Sequence, residues 1–420
     1  MQARASIDQL KVGVYIHLDL GWMDHPFGFS SFKIKSVEQI STLRELGLTS
    51  VRIDPDKSDT AVNPVLPSPA PAAAAAAPGT PEQIAPSPAL QAKLDRQQKL
   101  AQRREAIARV ERRYQKTAES LRRLQNSLKK APAQSVADVA LLAQALSSDL
   151  LAQPEISLFA LQTQSPNQEP HVHALNVALL SLVVAREMKI SGEEGALLVQ
   201  GAFYHDVGLR EVPSRILLKT ESLSSSERAA REEHVESGIR LARELALPMP
   251  VLEIVAHHHV LMDGSGYPSA MQPSKLSPLA RIVALVNQYD NLCNNVDLAR
   301  SLTPHEALSL LFKQQRQKFD EQALQILIRC LGVYPPGTLV QLSNDSVCLV
   351  SSVNTARPLR PTVVAYDAKT PRESPMVVDL LEEKEISIRT ALRRSQVPAA
   401  ALDYLTGRGR VSYFYERAEA

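Results

Sequence analysis

IVAHHHVLMDGSGYP (residues 254–268) ends an apolar helical pattern on three consecutive histidines, His257, His258 and His259, and follows them with the glycine-rich turn Asp263 to Pro268. About fifty residues earlier, GAFYHDVGLR (201–210) ends another apolar helix on the pair His205-Asp206. Seven of the ten histidines fall between 171 and 259: His171, His173, His205, His234, His257, His258 and His259. A lone histidine on a helix is usually packed or solvated. Seven in so short a segment suit another role: neutral imidazoles supply nitrogen to a first-row metal, and an aspartate supplies an oxygen ligand able to bridge two ions. Adjacent helical residues point about 100° apart. His205 and Asp206 therefore reach one cluster only if it lies beside their helix, which suits a binuclear centre. In the turn, Gly264 and Gly266 let backbone amides approach a phosphate. Tyr267 can stack on or hydrogen-bond a ligand.

Outward from these motifs, residues 133–331 carry helix after helix with few strand signals, so an all-α core is expected. Ser191 with Glu194 and Ser224 with Glu227 have capping-box spacing and open two of the helices. After Gly332, short apolar segments such as SVCLVSSV and TVVAYD predict a β-rich C-terminal extension over 332–420. At the other end, residues 1–57 read as a small α+β module, with a helix over Val37–Leu46 and strands in VGVYIHL and SVRID. Eight prolines and ten alanines in residues 61–90 mark a semi-extended linker, taken as 58–91. Residues 93–130 hold thirteen Lys/Arg against four Asp/Glu, with Leu100, Ile107, Tyr114, Leu121 and Leu128 spaced by seven and Val110, Thr117 and Leu124 three positions later. This seam predicts one long basic helix over 92–132 that pairs with its copy in a homodimer. Tyr114 alone is aromatic among its charges, too little for a nucleic-acid surface, and no nucleic-acid contact is expected.

The composition agrees. The 420 residues carry 47 basic and 45 acidic side chains, so no overall cationic excess points to nucleic acid. Cys293, Cys330 and Cys348 are too few and too scattered for a disulfide framework, and no apolar run approaches the ~20 residues of a membrane span. A cytoplasmic protein without a transmembrane segment is expected.

The two histidine motifs, together with HALNVALLSL from His173, EHVESG at His234 and ARIVALVNQYDNL from Ala280, resemble the HD-GYP family of bacterial phosphohydrolases, a branch of the HD superfamily. The resemblance implies an all-helical domain over about 133–331, two or three divalent ions, iron or manganese, and hydrolysis of the phosphodiester cyclic di-GMP. Carried over by position, it makes His205 and Asp206 catalytic and names His173, His205, Asp206, His234, His258, His259, Asn287 and Glu169 as metal ligands. Substrate would meet Gly266, Tyr267, Pro268 and Arg210. The N-terminal stretch, with Trp22, Pro26 and Phe27, resembles the domain of unknown function often found ahead of HD-GYP domains. Other signalling proteins are the further partners such a protein implies.

Four positions depart from the family's pattern. Leu209 replaces a phosphate-binding lysine, Val260 replaces the glutamate after the paired histidines, and Asn287 replaces an aspartate ligand. Val296-Asp297-Leu298-Ala299 stands where the family has Arg-Pro-Tyr-Arg. These losses favour an alternative, a catalytically weak or inactive domain that binds metal or nucleotide and signals through partners. A third reading is an HD-type phosphohydrolase for another nucleotide.

Overall fold

The computed structural model describes residues 3–20, 25, 27, 29–59, 88–163, 169–269, 272–372, 375–407 and 409–418. Most of the expected linker, together with Trp22 and Pro26, lies outside the described residues. The chain divides into two compact units, Met1–Ala106 with Asp367–Val378 and Ile107–Tyr366 with Asp379–Ala420.

In the first unit, β1 (Arg4–Ser6), β2 (Tyr15–His17), β3 (Ser31–Lys33), α1 (Val37–Glu45) and β4 (Ser50–Asp54) follow one another, and the antiparallel sheet has the order β1-β4-β2-β3. Alternation in β4 turns Val51 and Ile53 inward, where they join Ile7, Ile16, Ile34 and Leu43 in a small core.

The helical part runs α2 (Pro88–Ser127), α3 (Pro132–Leu151), β5 (Ile156–Thr163), α4 (Pro170–Glu187) and α5 (Gly192–Tyr204). Then come α6 (Ser214–Leu217), α7 (Ser225–Glu232), α8 (His234–Glu244) and α9 (Met249–His257). The series ends with α10 (Pro278–Cys293), α11 (Pro304–Gln314) and α12 (Glu321–Leu331). At its centre is α4, buried on every side from His173 to Ala185 and packed against α5, α10 and α12. A helix apolar all round must be enclosed by neighbours. Both expected capping boxes form, Ser191 with Glu194 opening α5 and Ser224 with Glu227 opening α7.

The C-terminal region is rich in strands, as expected, and its sheet takes in one strand from the helical part. It supplies β6 (Leu339–Leu342), β7 (Val347–Asn354), β8 (Thr362–Ala365), β9 (Met376–Asp379), β10 (Ile388–Leu392), α13 (Ala399–Thr406) and β11 (Arg410–Arg417). These make a sheet of order β10-β6-β7-β5-β11, with β8 on β7. Its fourth member, β5, comes from between α3 and α4, where the sequence pattern predicts helices only. Ile156, Leu158, Phe159 and Leu161 of β5 are buried, and the strand pairs with β11 from Ile156↔Arg417 to Thr163↔Arg410. Its partners lie far away in sequence, so local periodicity could not reveal it.

The heptad seam is also covered within the chain. Val110, Tyr114, Leu121 and Leu128 are buried in the same core as α4, and Ile107 and Leu124 pack against it. The Tyr114 ring meets Phe414 of β11 edge-on, and its hydroxyl lies 3.1 Å from Ser412 Oγ. The premise for pairing with a second copy, an otherwise exposed seam, therefore fails. The seven-residue spacing is that of a helix laid along its own domain. Among the described residues no helix is long and apolar enough to cross a membrane.

Candidate metal centre

Helix ends bring the polar groups together. His173 lies in the first turns of α4, His205 follows the last residue of α5, His234 opens α8, and His258 and His259 follow the last turn of α9. Asp206, with φ −100° and ψ 16°, has left the helix, which frees its carboxylate to turn toward the imidazoles. The geometric demand on the His205-Asp206 pair is thus met by ending the helix between them. Gly208 makes the close approach possible: a Cβ there would stand 1.9 Å from the carbonyl oxygen of His234 and 2.6 Å from the amide of Gly238.

The resulting cluster has two lobes that share one carboxylate. Asp206 Oδ2 lies 3.4 Å from His205 Nε2 and 3.7 Å from His173 Nε2, while Oδ1 lies 3.4 Å from His234 Nε2 and 3.5 Å from His258 Nε2. The donor atoms of His173, His205 and Asp206 fall within 4.8 Å of one another, and so do those of Asp206, His234, His258 and His259. The opposite ring nitrogens fix the tautomers. His205 Nδ1 donates to Ala202 O at 2.8 Å, His234 Nδ1 to Arg231 O at 2.6 Å and His258 Nδ1 to Val255 O at 3.0 Å. A carbonyl oxygen can only accept, so each Nδ1 carries the proton and each Nε2 turns a lone pair inward. His173 repeats the pattern, with Nδ1 donating to Asp290 Oδ2 at 2.6 Å.

Inward lone pairs approach one another closely, with His173 Nε2 at 3.2 Å from His205 Nε2 and His234 Nε2 at 3.3 Å from His258 Nε2. Neutral acceptors around a carboxylate repel unless a cation lies among them, so this donor set fits divalent metal ions. The ionisation states of His234, His258 and His259 agree. Burial drives the His258 pKa down to about 4, and burial with the neighbouring His258 holds His259 well below its ordinary value. His234 is lowered chiefly by burial. Burial also works to lower His173, but its Asp290 hydrogen bond lifts it overall. Burial opposes the charge on Asp206, and the surrounding His205 and His258 outweigh it, holding the carboxyl well below the usual range.

The loop over 260–268 closes one side. Val260 and Gly266 form a β-bridge, the Tyr267 amide donates to His259 O at 3.2 Å, and the Tyr267 ring stacks on His259 with centroids 4.5 Å apart. Gly266, at φ +94°, leaves no room for a side chain, since a Cβ would meet His259 O at 2.1 Å. Pro268 is half-buried beyond it. Burial, with the Asp206 charge second, raises the Tyr267 pKa, so its hydroxyl stays protonated.

Not every expected site residue joins the cluster. Glu169 precedes α4 and turns to His171, at 3.2 Å, outside both lobes. Half-buried, it lies ahead of the helix and of the buried run that begins at His173. Arg210 donates to the carbonyl oxygen of Gln125 at the end of α2, so its guanidinium is engaged there rather than at the imidazoles. Asn287 is buried beside His173 and accepts a hydrogen bond from Asn291 Nδ2 at 2.7 Å. His257 is also outside the lobes.

Other residues at the centre went unassigned from sequence. Asp290, three residues after Asn287 on α10, holds His173, and Asn176 and Asn294 in turn hold Asp290. The positive charge of Arg231 reaches both His234 and Tyr267. Its only sequence signal is its place three residues before a histidine.

The HD domain family matches residues 146–323, and the domain of unknown function DUF3391 matches residues 3–139. A cyclic di-GMP phosphodiesterase of Pseudomonas aeruginosa is 26% identical over 90% of this chain and 89% of its own length. The cyclic di-GMP phosphodiesterase PdeB of Borreliella burgdorferi is 22% identical over 46% of this chain and 51% of its own. A 3′3′-cGAMP-specific phosphodiesterase of Vibrio cholerae is 27% identical over 39% of this chain and 32% of its own. Residues 146–323 thus carry an HD domain, whose paired histidines, HD step and GYP turn around one carboxylate are similar to those of the HD-GYP type, and a DUF3391 domain lies ahead of it.

Proposed function

We propose that this chain is a metal-dependent phosphodiesterase that hydrolyses cyclic di-GMP in bacterial second-messenger signalling, with two divalent ions, iron or manganese. The observation that carries the reading is Asp206, one oxygen of which faces His173 and His205 while the other faces His234 and His258. His173, His205 and Asp206 would hold one ion, and Asp206, His234, His258 and His259 the other. Asn287 lends an amide oxygen beside His173. When bound, such ions polarise a phosphoryl oxygen and acidify water for in-line attack. The chain's own residues then orient the phosphate. Gly266 opens the backbone to it, Tyr267 offers a protonated hydroxyl, and Arg231 supplies positive charge on the side of His234 and Tyr267.

The test is product formation from cyclic di-GMP by the purified chain loaded with Mn²⁺ or Fe²⁺, with 3′3′-cGAMP as a parallel substrate. Cyclic di-GMP should be cleaved, and Asp206→Asn should slow cleavage by about 10²–10³-fold. A loaded protein that binds cyclic di-GMP without cleaving it would leave the binding-module reading. Leu209, Val296–Ala299 and the engagement of Arg210 with Gln125 speak for that alternative, because none of them offers the phosphate a cation. Preferential cleavage of 3′3′-cGAMP would move the proposal to that dinucleotide.

A further inference from the structure

β11 is the edge strand of its sheet, with β5 on one side. Residues of a strand alternate in the edge to which they turn their backbone groups, so those of Val411 and Tyr413 that do not meet β5 need other partners. Two asparagines from the helical core supply them. Val411 N–H donates to Asn294 Oδ1 at 3.0 Å and Tyr413 N–H donates to Asn176 Oδ1 at 3.1 Å. The Val411 carbonyl accepts from Asn294 Nδ2 at 2.8 Å and from Asn176 Nδ2 at 3.2 Å. In effect two side-chain amides take the place of a neighbouring strand.

The same amide nitrogens face the metal centre. Asn176 Nδ2 donates to Asp290 Oδ1 at 2.8 Å and Asn294 Nδ2 at 2.9 Å, while Asp290 Oδ2 takes the Nδ1 proton of His173. All four residues are buried. Each amide thus spends two donors and one acceptor, and no flipped orientation would satisfy both the strand and the carboxylate. Arg410, at the start of β11, adds hydrogen bonds to the carbonyl oxygens of Asn294, Asn295 and Val296, which fixes the end of α10 against the strand.

We propose that Asn176 and Asn294 are positioning residues for the metal centre: docked on the edge of β11, they aim Asp290 and through it the Nε2 lone pair of His173, so the C-terminal strand completes one lobe of the centre. The inference rests on the metal reading of the cluster. It predicts a selective defect, because His234 and His258 are oriented by the carbonyl oxygens of Arg231 and Val255 and not through Asp290.

The experiment is Mn²⁺ titration by calorimetry with elemental analysis, on the full chain and on Asn176→Ala, Asn294→Ala and Tyr114→Phe. The unmodified chain should take two ions. Each alanine variant should keep one and bind the other about 10–100-fold more weakly, the range for loss of a group that orients a ligand. Tyr114→Phe loses the hydroxyl contact to Ser412 of the same strand, leaves the hydrogen bonds of Asn176 and Asn294 to Asp290 in place, and should keep both. Should an alanine variant not fold, Asn294→Ser, which retains a donor, decides by the same selective loss. Two unchanged affinities in the asparagine variants, or equal weakening of both ions, would overturn the inference alone. An unmodified chain that takes no Mn²⁺ would overturn the metal reading, and this inference with it.

Discussion

Asn287 shows how one atom can limit a metal site. Its buried amide stands beside His173, where a carboxylate would add a charged oxygen to a lobe that otherwise has only Asp206 for negative charge. Asn287→Asp should therefore tighten divalent-ion binding by about ten- to hundredfold, the equivalent of one charge-assisted contact of ~1.5–3 kcal/mol. Calorimetric titration measures that gain. The same substitution should lower the melting temperature of the metal-free protein, because it buries a third carboxylate near Asp206 and Asp290 with no cation among them. A variant with unchanged metal affinity would show that this position lies outside the coordination shell.

Among the elements, α2 is where composition and burial disagree. Its Lys/Arg-rich surface reads as a solvated spacer, yet Val110, Tyr114 and Leu121 are buried against the helical core and β11. Arg109 and Arg113 form ion pairs with Glu416 and Asp149. Leu121→Ala should lower the unfolding free energy by about 3 kcal/mol, as for a fully buried leucine, and leave the molar mass in light scattering unchanged. A stability within ~0.5 kcal/mol of the unmodified protein, together with a lower mass, would restore the paired-helix reading. β5 makes the companion case. Its eight residues look like a break between helices and become the strand that ties the C-terminal region to the bundle.

For the molecule as a whole, the cluster couples folding to pH. His258 ordinarily titrates at 6.5 and in the folded chain at about 4, so between those values the unfolded chain binds a proton that the folded chain refuses. Stability is then complete above pH 6.5 and falls as the pH drops through that window. At ~1.4 kcal/mol per pH unit, His258 alone accounts for about 3 kcal/mol by pH 4. His234 and His259, also lowered, act in the same direction, and the raised His173 acts against them. Urea unfolding of the chelated protein at pH 7 and pH 5 should show a loss of about 2 kcal/mol at the lower pH. His258→Gln should shrink that loss. Equal stabilities at the two pH values would contradict the buried neutral imidazole.

Apolar periodicity and cap spacing, both local signals, are enough for the helical core and the two capping boxes, whereas the set His173, His205, Asp206, His234, His258 and His259 rests on the resemblance to HD-GYP domains. Asp290 was visible as an acidic residue, but its hold on His173 was not. Tertiary contacts set the rest: Glu169 meets His171, Arg210 meets Gln125, the α2 seam is covered by its own chain, and Asn176 and Asn294 join β11 to Asp290. The seam and asparagine contacts span 298 positions between Tyr114 and Ser412 and 237 between Asn176 and Tyr413, and a pairing over that distance leaves no period in the sequence.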